Sequence, residues 1–260
     1  DDVNKSFVLQ SGLDILYQWS VKWQLNLNLS KCFFLHMGAN NPEHTYNINR
    51  TELSNALEAV DLGVTVDSKL RFDKHISAIT SKAHQRAALI FRCFKSRDPV
   101  LLFRAFCVYV RPIVEYCSSV WNPAYKCDIL KIEAVQRRFT KRLNGYHSLT
   151  YEDRLAKLGA ESLQLRRLKI DLAMMYRSVF GCVKIESDNL FKLAARSHNT
   201  RGHELKIEKE HCYVNCRANS LACRAVNAWN TLSQDIFTCC KNVYIFKQRL
   251  SGIDFTSSLC

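Results

Sequence analysis

The sequence has no long hydrophobic run. No stretch approaches about 18 uninterrupted apolar residues, because Arg104 and Arg111 interrupt the best one, so no ordinary membrane-spanning helix is expected. No internal repeat and no low-complexity tract is visible. HExxH, P-loop and Ser/His/Asp patterns are missing, which makes a metalloenzyme or hydrolase the least supported class. The chain opens DDVNKSF, without an initiator Met, an apolar signal segment or a targeting pattern, as expected of a piece of a longer reading frame.

What is present fits a globular chain of one or two domains: 260 residues, 47% of them hydrophobic, enough to build a core. The formal net charge of +13 is unevenly spread. Residues 1–70 hold 5 Lys/Arg against 8 Asp/Glu, whereas residues 71–260 hold 32 against 16. The basic surplus therefore belongs to the later part, and by counterion release such a surface favours polyanions. The twelve cysteines are scattered, and without a signal segment they read as reduced, buried thiols. Their one cluster, HCYVNCRANSLAC, has His211, Cys212, Cys216 and Cys223 but no close C-x-x-C, so no zinc site is expected. Cys216 and Cys223 instead read as edge positions of the helix that presents Trp229.

Charge and hydropathy are best segregated near the middle of the chain. Ile132, Val135, Phe139 and Leu143 recur at helical spacing, and Lys131, Arg137, Arg138, Lys141 and Arg142 fill the remaining positions. Glu133 is the one acid among them. A helix that buries the apolar side turns its cations outward, where they form a solvated surface or hold a polyanion.

Coarse periodicity predicts an α+β, predominantly α-helical chain. Leu9, Leu13, Leu16 and Trp23 mark a first helix, with Asp2 or Asn4 as N-cap. Strands are expected at Cys32–Gly38, Tyr46–Ile48 and Ala59–Val66. Helices follow from Asp73 to about Phe94, then over Pro99–Cys117, Asp128–Leu143, Tyr151–Leu158, Ser162–Phe180, Arg217–Gln234 and Asn242–Leu250. Arg196–Glu210 reads as a polar loop. Trp19, Trp23, Trp121 and Trp229 lie in apolar runs and read as core anchors, with Phe246 and Leu250 also packing. Glu115 is expected to pair with Arg111 one helical turn earlier, and Glu133 reads as structural.

Several words of the sequence have a familiar order. VRPIVEY, VWNP and IEAVQRRFTKRL resemble the region after the polymerase active site in reverse transcriptases of LINE-type (non-LTR) retrotransposons. Upstream, LQSGLDILYQWSVKWQLNLNLSKC and DLGVTVDSKLRFDKHI are similar to the end of that family's palm. Downstream, LTYEDRLAKLG, LQLRRLKIDLAMMYR, TRGH, AVNAWNTLSQDI and VYIFKQRL follow in the family's order, so the resemblance covers nearly the whole chain.

The resemblance implies a small N-terminal β-element (1–72, a palm remnant), a helical thumb-like domain (73–160) and a helical C-terminal domain (161–260). It implies an RNA-directed DNA polymerase fragment that contributes primer and duplex binding. Lys31 would neutralise or protonate the leaving pyrophosphate. Leu62, Gly63 and Val64 would form the primer-grip-like edge, where Gly lets backbone approach a ligand closely. Lys131, Arg137, Arg138, Lys141 and Arg142 would meet the duplex, with Arg166 and Arg167 extending the surface and Arg201 reaching phosphate from a loop. The family's catalytic aspartate doublet is not matched, because Asp1 and Asp2 stand at about half the family's spacing from Leu9 and Gln10. The chain alone is therefore expected to be inactive and to hold no cofactor, since Mg²⁺ belongs to the complete polymerase. The expected partners are an RNA/DNA duplex and the rest of the polymerase, without a membrane. The expected place is intracellular, nuclear or ribonucleoprotein-associated, not secreted.

The pattern also departs from the family. Leu232-Ser233 stands where the WN element normally continues Leu-Pro, and YVNCRANSLAC lacks the usual aromatic pairs. A catalytically inactive helical module binding nucleic acid or protein is the alternative reading.

Overall fold

The computed structural model describes residues 2–38, 41–184, 190–194, 203–237, 242–255 and 259, with backbone alone at 2–5. The chain divides into two compact units, Asp1–Phe72 and Asp73–Cys260. The class is α+β and predominantly helical, as the periodicity predicts.

The first unit opens with α1 (Asp2–Lys22). Asn4 therefore lies inside the helix rather than capping it. Leu9, Leu16, Trp19 and Trp23 of this segment are exposed in the chain, so Trp19 and Trp23 are not the core anchors expected. Apolar residues occur on every side of α1, and a helix of that kind cannot be covered by a few short strands. β1 (Phe33–Phe34) pairs in parallel with β4 (Ser54–Asn55), and β2 (Asn47–Ile48) pairs antiparallel with β3 (Thr51–Glu52). The Gln10 side chain holds β2 on α1, donating to Asn47 O at 2.9 Å and accepting from Asn47 N at 3.1 Å.

The expected strand over 59–66 is instead a hairpin of β5 (Glu58–Asp61) and β6 (Val64–Asp67). Leu62 (φ +46°) and Gly63 (φ +84°) make its two-residue turn. Two successive left-handed residues give the turn whose twist matches that of the paired strands.

The second unit begins at Asp73, where α2 (Asp73–Cys93) starts. In α3 (Pro99–Tyr109), Asp98 caps the helix by accepting from Leu101 N at 2.8 Å, and Pro99 takes the first position, where no N–H is needed. The expected continuation to Cys117 fails. Pro112 cannot donate to the ladder, the chain tightens into a 3₁₀ turn at Arg111–Val114, and Cys117 adopts φ +52° before α4 (Ser118–Trp121).

α5 (Lys126–Lys141), α6 (Tyr151–Leu158) and α7 (Leu163–Val179) follow close to the predicted bounds. Thr150 and Ser162 cap α6 and α7, and Gly159 ends α6 with φ +59°. The predicted helix over Arg217–Gln234 is broken into α8 (Asn215–Ala218), α9 (Leu221–Arg224), α10 (Val226–Asn230) and α11 (Gln234–Phe237). Hydroxyls compete with the ladder there: Ser220 Oγ donates to Arg217 O at 2.7 Å, and Thr231 Oγ1 to Ala228 O at 2.8 Å. α12 (Val243–Leu250) is capped by Asn242. Within the expected loop 196–210, Ile207 forms an antiparallel bridge with Leu193.

Trp121 and Trp229 are fully buried, as are Phe246 and Leu250. Trp229 anchors a core of α7, α10, α11 and α12, with its Nε1–H donating to Leu205 O at 2.8 Å.

Candidate nucleic-acid interface

α5 sorts its charges by burial. Ile132, Val135, Phe139 and Leu143 are buried, at 0%, 0%, 2% and 2% exposure, which fixes the inner side. Lys131, Arg137, Arg138, Lys141 and Arg142 are all exposed. At 3.6 residues per turn the five fall within an arc of roughly 140°. Both acids of the helix, Asp128 and Glu133, are buried. The last turn places Arg138 and Lys141 where the helix dipole favours cations.

Each acid has a local partner. Glu133 accepts from Leu163 N and Gln164 N at 3.1 Å each, and from the Tyr151 hydroxyl, so it satisfies the first turn of α7. Burial, with the Glu133 charge, raises the Tyr151 pKa well above its ordinary value. Glu133 is thus structural, as the sequence suggests. Asp128 lies 3.2 Å from Lys131 Nζ and partly neutralises that one cation.

Two cations rest on aromatic rings: Arg137 lies 5.0 Å from the Tyr151 centroid and Arg142 lies 4.2 Å from that of Phe91. Arg138, Lys141 and Arg142 border a cleft of about 360 Å³ between α2 and α5. His84 lines it too, a residue that sequence reasoning missed. Its signal, a half-buried polar position on α2, becomes visible only once α5 is docked. Burial, and then the Arg138 charge, lowers the His84 pKa and favours the neutral ring.

Arg166 and Arg167 do not extend this surface. Arg166 Nη2 lies 3.0 Å from Glu115 Oε2, with Nε on the other carboxylate oxygen, so it is a forked partner of Glu115. Arg111 is the weaker partner at 3.9 Å. Arg167 is 1% exposed, and burial holds its pKa down to about 10, opposed by Glu133 and Asp171. Its Nε donates to Asn122 Oδ1 at 3.0 Å. Arg201 lies outside the described residues.

In the first unit Lys31 is exposed and ends a 3₁₀ turn (Leu29–Lys31) just before β1. Leu62 and Gly63 are the exposed hairpin tip, and Val64 is buried behind them.

The cysteines are mostly not buried. Among the described residues Cys93, Cys127, Cys182 and Cys216 are exposed, and Cys223 is the buried one. Several fall on outward helix positions, where the surrounding apolar run does not decide burial. Cys212 and Cys223 have their Sγ atoms 3.4 Å apart, while Cys216 stands exposed. Among the described residues no three His, Cys, Asp or Glu side chains come together as a metal site, and no helix is long and apolar enough to cross a membrane.

The fold and this face define the class: a mainly helical α+β chain whose basic unit presents an exposed cationic helix face. No family model and no solved structure matches the chain. A Caenorhabditis elegans protein described as uncharacterized is 32% identical over 124 residues, 46% of this chain and 62% of that protein. The RNA-directed DNA polymerase from mobile element jockey of Drosophila funebris is 28% identical over 149 residues, 55% of this chain and 16% of the polymerase. The probable RNA-directed DNA polymerase from transposon X-element of Drosophila melanogaster is 25% identical over 135 residues, 49% of this chain and 14% of the polymerase. These matches bear out the resemblance to LINE-type non-LTR retrotransposon reverse transcriptases over about half of the chain.

Proposed function

We propose that this chain is the duplex-holding part of such a reverse transcriptase, and that the outward face of α5 meets the phosphate backbone. The observation that carries this reading is the charge sorting on α5, with five cations exposed and both acids buried. Apart from Lys131, which Asp128 partly neutralises, the cations of this face have no acid of α5 beside them, and phosphates along a duplex are spaced to meet several of them at once. In this reading residues 73–160 are the thumb-like part and 161–260 a C-terminal domain that braces it. The Leu62-Gly63-Val64 hairpin serves as primer grip. A large apolar side chain held at positive φ on an exposed tip is a costly arrangement, of the kind kept where backbone must approach a ligand. Lys31 is the pyrophosphate-side lysine, and the chain works inside the cell beside the rest of the polymerase.

Fluorescence anisotropy with an RNA–DNA heteroduplex, repeated across a salt series, tests the reading. With about four phosphates met, log K falls against log salt with a slope of roughly −3.6. Absence of binding at about 50 mM salt, or a slope near zero, overturns it.

A second reading, a binding module that works on its own, is favoured by the Caenorhabditis elegans relative. The matched part makes up 62% of that protein but 14–16% of the polymerases. The same titration applies, and extension of a primed RNA template by the chain together with the rest of the polymerase separates the two.

A further inference from the structure

The cleft between α2 and α5 has a use that backbone phosphates do not explain. Its floor is apolar, built from Ala87, Val135, Phe139 and the half-buried Phe91, and its rim carries Arg138, Lys141 and Arg142. A phosphate would use the rim and leave the floor empty. At about 360 Å³ the cleft is within the range of small-molecule sites, which combine apolar walls with a few polar groups. A stacked duplex is too wide to enter it.

We infer that this cleft takes one unstacked nucleotide from a strand end, with its base over Phe91 and its phosphate among Arg138, Lys141 and Arg142. The inference rests on the reading of α5 as a duplex-binding face, and it adds a preference for unpaired ends. Three features argue for a base rather than another apolar group. The face of the Phe91 ring is already used for stacking, since the Arg142 guanidinium lies 4.2 Å from its centroid. Planar guanidinium and nucleobase stack on aromatic rings by the same π-face contact, and the arginine can leave the ring for a phosphate. Phe91 is held by Phe139, whose ring lies 4.8 Å away, so the platform is rigid. His84 borders the cleft, and its neutral ring offers one donor and one acceptor to a base edge.

The test compares a blunt RNA–DNA duplex with the same duplex carrying one unpaired nucleotide, titrated against the full chain by anisotropy at fixed salt. The unpaired nucleotide is 2-aminopurine, whose fluorescence reports stacking. The overhang duplex should bind about tenfold more tightly than the blunt one, with quenching of the fluorophore. Phe91→Leu keeps an apolar floor but removes the ring, and should bring the ratio of the two affinities to about one. Ala88→Leu narrows the cleft from its half-buried wall and should do the same, so the test does not depend on Phe91→Leu folding. If blunt and overhang duplexes bind wild type equally, the nucleotide slot is wrong while the cationic-face reading stands. An overhang preference that survives both variants also refutes the slot. If neither duplex binds, both readings fall.

Discussion

Arg224 grips Asp171 with two nitrogens, Nε at 2.8 Å from Oδ2 and Nη2 at 2.9 Å from Oδ1. Asn122 Nδ2 donates to the same carboxylate at 3.1 Å, and Arg167 donates to Asn122. Arg224 also reaches the carbonyls of Ser119 and Asn219 at 2.8 Å each. Asn122 comes from the VWNP word, Arg167 and Asp171 from LQLRRLKIDL, and Arg224 from α9. Three separated stretches of the sequence are thus joined through one buried carboxylate.

Removing that carboxylate strands the partly buried Arg224 and takes one opposing charge from the buried Arg167, which keeps Glu133. Asp171→Ala should destabilise the chain by about 3–5 kcal/mol in urea unfolding. Adding Arg224→Met should restore part of the loss, because it removes the stranded charge. A loss under about 1 kcal/mol for Asp171→Ala would show that the network contributes little.

His203 is 3% exposed and its Nε2 lies 3.0 Å from Trp229 O. Burial lowers its pKa below the ordinary histidine value of 6.5, and burial lowers that of His75 as well. The unfolded chain therefore binds more protons than the folded one below pH 6.5. Stability should be flat above that pH and fall as pH drops from it toward the folded pKa values. His203→Gln, which can still donate to Trp229 O, should make the acid-side fall shallower. An unchanged profile between about pH 6.5 and 5 would rule out a buried neutral His203.

Cys212 shares a hydrogen bond with Cys223, which raises the Cys212 pKa above its ordinary value, whereas Cys216 is exposed. Thiolates react and thiols do not. Timed alkylation near pH 8 with mass mapping should label Cys216 well before Cys212 and Cys223, with Cys212 catching up only at higher pH. Equal early labelling of all three would mean that this segment is not packed as described.

Much of this architecture is legible in the sequence, and the failures have local causes. The stripe of α5 and the caps at Thr150, Ser162 and Asn242 are short-range patterns, and the elements they bound fall close to expectation. The break after Tyr109 is signalled by Pro112, but the apolar run around that proline continues the helical pattern and masks it. The four short helices around Trp229 depend on Ser220 and Thr231 turning back to the main chain, which competes with the helix too weakly to read from composition. The fates of Arg166 and Arg167 were not legible at all. Their partners Glu115 and Asn122 lie 51 and 45 residues away, and only the packed fold brings them together. His84 was hidden for the same reason.

Charge reversal on α5 tests the central claim most directly. Arg138 and Arg142 are exposed and are not themselves members of the buried stripe, so Arg138→Glu/Arg142→Glu should keep the far-ultraviolet spectrum of the wild type. The account predicts that this variant binds a heteroduplex more weakly whatever its sequence, with the salt slope shallower by about 1.8, two contacts at 0.9 each. A folded double variant that binds with wild-type affinity and slope would contradict it, and the face of α5 would then be only a solvated surface.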